Sequence, residues 1–361
     1  MADTQSLFKS FGLSRVIIVG FLMVMLIVAG VGYGMNLPSF AGDMVRRWGM
    51  FGMLALAIVP GIRCGIGPNL GLPVGITGGM LGAVLSIEMT FRGWFDFITN
   101  PYAAELFGIF LALVVGTSLA ALLGIGYGLI LNRVKGSEMA VAAYVGFACV
   151  SMFNIIWVLL PIRAGHMILP ATGRSLRQMI NLRDDWGGIF NNFLAFDIGD
   201  MSIPTGLILV FLLSCFVMWL FLQSKTGQKM TAAGANPAYA RASGISVDRM
   251  RILGTAISTA VGGFGIIIYA QSFGFLQMYD APLMMGFTAV AAVLIGGASV
   301  KRATMFDLLF GAFIFHAILT LSLPLATEII SDVPGVPEMV RLVVTYGIIL
   351  YALTKVKGAT R

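Results

Sequence analysis

The chain predicts an all-α polytopic integral membrane protein. Hydrophobic residues make up 58% of it and charged residues 11%, mean hydropathy is +0.93, and charge-poor runs recur along the whole length. A soluble domain carries about 25% charged residues, whereas a helix needs roughly 20 apolar residues to cross a bilayer. Glycine, at 45 of 361 residues, suits helices that pack closely in lipid.

Hydropathy delimits ten spans: 16–34, 48–62, 66–88, 105–131, 139–161, 205–222, 252–270, 284–300, 304–323 and 340–354. The first follows Lys9 and Arg15, and with no small-residue cleavage site behind it, it reads as an anchor rather than a removable signal. The second follows Arg46 and Arg47. The third begins Gly65-Ile66-Gly67-Pro68-Asn69-Leu70-Gly71-Leu72-Pro73-Val74-Gly75, too rich in helix breakers for a continuous start, so one helix is predicted to be discontinuous near 65–75. The fourth and fifth flank a basic turn with Arg133 and Lys135. The sixth follows the long segment 161–204, and the seventh leaves a polar, basic segment at 223–251. Lys301 and Arg302 separate the eighth and ninth, and a basic tail with Lys355, Lys357 and Arg361 follows the tenth.

The basic residues orient this array. With the N-terminus inside, 15 of the 23 Lys and Arg fall on the cytoplasmic side: Lys9, Arg15, Arg63, Arg133, Lys135, Lys225, Lys229, Arg241, Arg249, Arg251, Lys301, Arg302, Lys355, Lys357 and Arg361. Arg46, Arg47, Arg92, Arg163, Arg174, Arg177, Arg183 and Arg341 fall outside. Cytoplasmic enrichment of Lys and Arg in short loops sets topology, so both termini are expected inside. The net charge of +7 is thus an orientation signal, and no nucleic acid partner is expected.

Broken helices are tolerated where freed backbone groups face protein or a water-filled cavity, and in transporters such breaks mark substrate routes. The break at Gly65–Gly71 therefore reads either as part of a path or as a tight helix contact without ligand. Asn69, Thr77, Asn154 and Gln271 are polar groups within or beside apolar spans and are candidates for lining a path; the same groups also serve as bridges between helices. The segment 161–204, with Arg174, Arg177, Arg183, Asp184, Asp185, Trp186, Asp197 and Asp200, reads as an external loop that either docks a partner or packs over the outer mouth.

Catalytic chemistry is not in view. There is no GxxxxGK[ST] loop for phosphates, and no HExxH, GxSxG or paired-carboxylate motif. His166 and His316 are isolated and read as packing residues. Cys64, Cys149 and Cys215 lack metal or disulfide spacing. The central parts of all ten predicted spans lack Asp, Glu, Lys and Arg, with Asp307 three residues into its span and Glu88 and Glu105 at outer ends. Ion-coupled pumps need such groups at depth, so energy is expected to arrive from outside the membrane domain.

The segment 223–251 offers a place for it. Gly234 and Gly244 permit sharp turns at the two ends of a short helix, and Pro237 suits a first helical turn. Ala238, Ala240 and Ala242 supply small side chains around one aromatic knob, Tyr239, and Arg241 suits carboxylates on a facing wall. The alternative is a solvated basic loop that serves orientation alone. Its alanine and glycine content weighs against that, since such loops favour Ser, Asp, Asn and Lys.

The run Gly234-Ala235-Asn236-Pro237-Ala238-Tyr239-Ala240-Arg241 followed by Ala242-Ser243-Gly244-Ile245 resembles the coupling loop of ATP-binding-cassette importer permeases, in the branch that carries ribose, other simple sugars and nucleosides. Gly286–Ser299 resembles that family's Ile-Ala-x-x-x-Leu-Gly-Gly-Thr-Ser segment, and Gly65–Gly71 sits where the family carries a Gly-Ile-Asp-Leu-Ser-x-Gly type segment, with Gly-Pro-Asn here in place of its acidic pattern. The resemblance runs best from Thr205 to Leu353. It implies one permease domain over residues 1–361, with 161–204 external and 223–251 a cytoplasmic coupling loop in which Ala233, Gly234, Asn236, Pro237, Ala238, Tyr239, Arg241, Gly244 and Ile245 meet an ATPase. It further implies two inverted halves, spans two to five and seven to ten.

The implied function is translocation of a simple sugar, such as a ribose-like monosaccharide, by alternating access; a nucleoside or another small polar solute is the alternative. A stand-alone channel or ion-coupled carrier is a further reading, and a membrane enzyme the last. The implied partners are a nucleotide-binding ATPase subunit, a periplasmic or lipid-anchored substrate-binding protein, a second permease copy or related permease, and membrane lipid. No cofactor is expected on this chain, ATP and Mg belonging to the partner subunit. The expected location is the bacterial plasma (inner) membrane, multi-pass.

Overall fold

Asn36 and Pro38 start the second span well before hydropathy does. The Asn36 side chain accepts from the Ser39 N–H at 3.3 Å and Pro38 fits the first turn, so helix α2 occupies Leu37–Leu56 instead of starting at 48. Asp43, Arg46 and Arg47 lower the local hydropathy, yet they lie on the helix, with Arg46 paired to Asp43 at 3.1 Å. Before it, α1 (Leu13–Ile27) ends in one π-helical turn, Val28–Gly32.

The computed structural model describes residues 13–160, 162, 179–183, 185–279, 281–330 and 335–358. Lys9, Arg163, His166, Arg174, Arg177, Asp184 and Arg361, and most of 161–178, lie outside the described residues. After α2 come α3 (Ile58–Arg63), α4 (Leu72–Phe91), α5 (Pro101–Arg133) and α6 (Glu138–Leu159). Strand β1 (Met179–Asn181), the short α7 (Ile189–Asn192), β2 (Phe196–Ile198) and β3 (Met201–Ile203) lead into α8 (Thr205–Gln223). Then follow α9 (Lys225–Ala235), α10 (Pro237–Ala242), α11 (Val247–Phe273), β4 (Phe275–Gln277), α12 (Ala281–Ile295), α13 (Met305–Ile329) and α14 (Val336–Gly358).

Among the described residues, eight helical runs are long and apolar enough to cross a membrane, α2 and α3 counting as one run over Leu37–Arg63. The shorter apolar α12 and the helix α14 stand where the eighth and tenth spans are predicted. The fold is all-α and polytopic. Helix α12 stops at Ile295 rather than 300 because Gly297 adopts φ +104° and turns the chain. The predicted break is present over residues 64–71, joining α3 to α4.

The centre of the bundle is α4, α5 and α11, which contact one another more than any other elements. Small residues let their backbones meet: a methyl group on Gly82 would lie 2.2 Å from the Gly116 Cα. Such approach is how membrane helices gain dispersion contacts when lipid is as apolar as their side chains. Around this centre, Trp157, Phe211, Phe315 and Ile267 join one continuous buried apolar cluster. The outer faces of α5, α6 and α8 leave Phe110, Leu122, Ile155, Leu213 and Phe216 exposed, as lipid-facing helices require.

Hydrogen bonds sort the helix ends into two opposite groups. At one end, Arg15 reaches Asp307 and the Gly296 carbonyl, Arg63 donates to the Ala303 carbonyl, and Lys135 meets Asp248. At the other, β1 pairs antiparallel with β4, Ile180 opposite Leu276. The hairpin of β2 and β3 lies on the start of α2, with Asn36 donating to Asp200 at 2.7 Å.

The second span corrects one expectation. Its helix carries Asp43, Arg46 and Arg47 in the first half of the 27-residue run Leu37–Arg63, so these charges belong to the helix and not to the loop before it. Hydropathy placed them in a loop because three charges within five positions outweigh their apolar neighbours.

Candidate functional site

Ser224 closes the sixth span and opens α9: its hydroxyl accepts from the Gly227 N–H at 3.2 Å. Gly227, Met230 and Ala233 form the buried side of α9. The chain then turns at Asn236, not at Gly234. Asn236 is extended (φ −146°, ψ 92°), its N–H closes α9 on the Ala232 carbonyl, and its side chain accepts from the Tyr239 N–H at 3.0 Å. With Pro237 in the first turn, this Asn-Pro pair is a complete helix start, and α10 follows for six residues. Gly244, at φ +77°, ends it as expected. The Ile245 N–H returns to the Ala240 carbonyl at 2.9 Å.

Only one side chain of α10 is buried. Ala240 joins Ala233 and Val247 in a small apolar cluster flanked by Ile245 and Met250. Pro237, Ala238, Tyr239, Arg241 and Ala242 all face outward; Tyr239 is 68% exposed. Tyr239 thus stands outward beside Arg241 on a helix whose remaining surface is Pro237, Ala238 and Ala242.

Gly234 does a different job from the one read in the sequence. It lies inside α9 and permits contact with the chain between α3 and α4: a methyl group there would meet the Arg63 carbonyl oxygen at 2.3 Å and the Gly65 nitrogen at 2.7 Å. Two ion pairs fasten the following segment to the turn between α5 and α6. Arg251 donates to Glu138 at 2.5 Å and both are largely buried. Lys135 meets the exposed Asp248 at 2.7 Å, and Asn132 donates to the Asp248 carbonyl at 2.9 Å. The α9–α10 unit is thereby joined to the ends of α3, α5, α6 and α11. Beside it, a cleft of about 580 Å³ is lined by Arg63, Trp219, Gln223, Gln228, Thr231 and Thr304.

The four polar residues proposed from sequence for a path are not joined to one another by any hydrogen bond. Asn69 is buried and makes three hydrogen bonds: its amide donates to Ser258 at 2.8 Å, while its oxygen accepts from Tyr127 at 2.8 Å and from the Gly71 N–H at 3.0 Å. Ser258 passes its own proton to the Ala57 carbonyl at 2.6 Å. Asn69 thus ties α2, α4, α5 and α11 together. Tyr127 and Ser258 gave no sequence signal as its partners, since one is 58 and the other 189 positions away.

Thr77 is likewise buried and donates to the Val74 carbonyl. Gln271 is buried under α7, where its side-chain oxygen accepts from the Phe190 N–H at 3.2 Å. Asn154, on the half-buried face of α6, has a buried oxygen without a hydrogen-bond partner. His316 is buried and stacked on Phe51 at 4.1 Å, with neither ring nitrogen bonded, a packing residue as read from the sequence. Among the described residues, no three His, Cys, Asp or Glu are grouped to hold a metal ion.

Known proteins align with this architecture along most of its length. The family described as branched-chain amino acid transport system, permease component, matches residues 9–353. The nucleoside ABC transporter permease protein NupB of Lactococcus lactis is 22% identical over 357 residues, covering 94% of this chain and 89% of that protein. NupC of the same organism, also a nucleoside ABC transporter permease protein, is 29% identical over 131 residues, 36% of this chain and 41% of that one. The guanosine ABC transporter permease protein NupQ of Bacillus subtilis is 29% identical over 140 residues, 38% and 42% of the two chains. No solved structure matches the chain. Because the family model covers residues 9–353 of this helical bundle, the chain belongs to the branched-chain amino acid transport system permease component family and is a multi-pass, ABC-type transport subunit of the bacterial plasma membrane rather than an enzyme.

Proposed function

We propose that this chain is the membrane subunit of an ATP-driven nucleoside importer. The substrate reading favours a nucleoside over the simple sugar expected from the coupling-loop motif, because the relatives that align with it carry nucleoside names, NupB along nearly its full length. Members carrying sugars share the same loop, so the motif alone does not separate the two.

The observation that carries the mechanism is helix α10, held at one end of the bundle by Ala240 and presenting Tyr239 and Arg241 outward. In this reading that end is cytoplasmic, in keeping with the basic residues clustered there, and α10 sits in a groove of a separate ATPase subunit. ATP and Mg belong to that subunit. A substrate-binding protein delivers the solute to the opposite end, where the two small antiparallel β pairs lie. A second permease copy or a related permease completes the pathway. Nucleotide-driven closure of the ATPase pushes α10, and the push reaches α3 through the Gly234–Gly65 contact and α5 and α6 through Arg251 and Lys135. Force has to act differently on two conformations to move the bundle between them, and these contacts join α10 to several helix ends at once.

Uptake measured with the assembled transporter tests both halves. Nucleoside uptake should require ATP, a tenfold excess of ribose should not compete with it, and Tyr239→Cys should crosslink to the ATPase subunit. Uptake of ribose alone would overturn the substrate. Uptake by the purified single subunit in ATP-free vesicles would favour a stand-alone carrier instead.

A further inference from the structure

Two adjacent arginines on a membrane-spanning helix need an explanation. Arg46 and Arg47 are the tenth and eleventh residues of α2, about 15 Å from its start at 1.5 Å per residue. Both are exposed on the surface of this chain. Charged side chains within spans face a bundle interior or a water-filled cavity, or pair with other groups, because lipid solvates them poorly. Arg46 is paired with Asp43. Arg47 makes no hydrogen bond or ion pair with any described residue.

What lies beside Arg47 is aromatic. Arg46, Arg47, Phe51, Tyr269, Ser272 and Phe273 line a cavity of about 150 Å³. Tyr269 and Phe273 are stacked at 5.5 Å with their planes 21° apart, and Phe51 stands across Tyr269 at 5.0 Å. His316 backs Phe51 from behind at 4.1 Å, so the wall is rigid. Arg46 also lines a second, polar cavity of about 430 Å³, with Asn191, Asn192, Asp197 and Asp200 among its walls. Arg46 is common to both linings, and the Ser272 hydroxyl of the first donates to Asn191 of the second at 2.7 Å. Both belong to the end of the bundle opposite α10.

The shape is that of a bipartite ligand: a flat aromatic part beside a rich set of hydroxyl groups. Base–aromatic stacking contributes about 1–3 kcal/mol per base. A guanidinium free of partners offers two parallel N–H donors, which match two adjacent acceptors such as O6 and N7 of a 6-oxopurine. Adenine presents a donor in place of O6 and does not match. The aspartates at the polar rim accept from ribose hydroxyls and repel a phosphate, which disfavours nucleotides. We propose that this vestibule binds a 6-oxopurine nucleoside on its way through the protein, with Arg47 reading the base edge, the exposed Phe273 lying against the ring, and the polar cavity receiving the ribose. The assignment rests on the nucleoside reading above and adds which base is preferred and where it is read.

The test compares radiolabelled inosine, adenosine and ribose in cells carrying the assembled transporter. At sub-saturating substrate, Arg47→Ala should lower inosine uptake about tenfold, in line with the loss of a bidentate contact, and leave adenosine uptake within about threefold. Arg47→Lys should not restore inosine, because a point charge lacks the fork. An equal loss for both nucleosides would make Arg47 structural, and no change at all would leave it a solvent- or headgroup-facing side chain; either outcome overturns the proposal. A second readout stands apart from transport. Arg46→Cys, at the exposed rim shared by the two cavities, is labelled with a water-soluble thiol reagent on the purified permease in nanodiscs, with the unsubstituted protein as control. Inosine should slow the labelling and ribose should not. Inosine protection in a protein that transports no nucleoside would keep the site while the importer reading fell. Protection by ribose alone would remove the base from the site, and with it the proposal.

Discussion

Gly65 and Gly234 meet backbone to backbone: a methyl group on Gly65 would lie 2.7 Å from the Gly234 Cα, and one on Gly234 would lie 2.3 Å from the Arg63 carbonyl oxygen. At this point no side chain separates α9 from the end of the second span, which is where the proposed push would pass from one to the other. Gly65 also holds φ +82°, which any other residue adopts only at a cost. Gly234→Val is therefore expected to force the two segments apart, at about 1–3 kcal/mol for an overpacked contact. In the assembled transporter, uptake should fall further than the amount of folded protein, because the substitution strikes the proposed line of force. Uptake that declines only in step with the folded fraction would show that this contact transmits nothing.

Glu138 and Arg251 pair at 2.5 Å with only 15% and 10% of their side chains exposed, whereas the neighbouring Lys135–Asp248 pair is 44% and 58% exposed. Removing one member of a largely buried pair strands the other charge, at a cost of about 3–5 kcal/mol, while exposed pairs contribute up to about 1 kcal/mol. Glu138→Gln should thus lower the thermal unfolding midpoint clearly, and Lys135→Met should barely move it. Equal effects from the two substitutions would mean that burial does not separate these pairs.

Asn69 provides the clearest split between a structural and a path-lining role. Its three hydrogen bonds join four elements, and Asn69→Ala leaves the Tyr127 hydroxyl and the Ser258 oxygen to find new partners, at about 1–3 kcal/mol for each buried group left unsatisfied. Tyr127→Phe removes one donor while the Gly71 N–H still serves the Asn69 oxygen, so it should cost about 1 kcal/mol. The expected order of unfolding midpoints is wild type, Tyr127→Phe, Asn69→Ala, with substrate preference unchanged. A shift in preference at unaltered stability would return Asn69 to the path.

The helices were legible wherever apolar composition alone makes them. The predicted 205–222 is the observed Thr205–Gln223 within a residue, because nothing polar interrupts it and an unbroken apolar run has one stable form in lipid. Leu37–Arg47 was not legible in that way. Asp43, Arg46 and Arg47 hide a helix start that the Asn36 cap and Pro38 declare by capping chemistry instead. The short helix α10 was foreseen, and its outward Tyr239 with it, since Asn-Pro and a later Gly state a start and an end. The turn was assigned to Gly234 because glycine signals both flexibility and close approach, and only the fold decides which. The Asn69 cluster and the aromatic cavity at Arg47 were out of reach for another reason: their members come from residues 46 to 273, and no local spacing records contacts of that range.

Asp307 carries two loads at the same end as α10. One oxygen accepts from Arg15 at 2.5 Å, and the other accepts from the Thr304 N–H at 2.9 Å and the Thr304 hydroxyl at 2.7 Å, forming a capping box at the start of α13. Arg15 in turn donates to the Gly296 carbonyl at 2.7 Å and lies 5.7 Å from the centre of the Phe306 ring. The first helix is therefore tied to the turn between α12 and α13, the same turn whose Ala303 carbonyl receives Arg63. Asp307→Ala keeps the Thr304 cap but loses the return arm of the capping box, whose hydrogen bonding contributes about 1 kcal/mol, and leaves Arg15 without its counter-charge. Arg15→Met leaves the cap intact. The two substitutions should not add: once Asp307 is gone, losing Arg15 costs less, by a coupling within the range of about 0.5–3 kcal/mol found for contacting residues. A double-mutant cycle on unfolding midpoints measures that coupling directly. A value of zero would mean that Arg15 is held by Gly296 and Phe306 alone, and that the ion pair contributes nothing to anchoring the first helix.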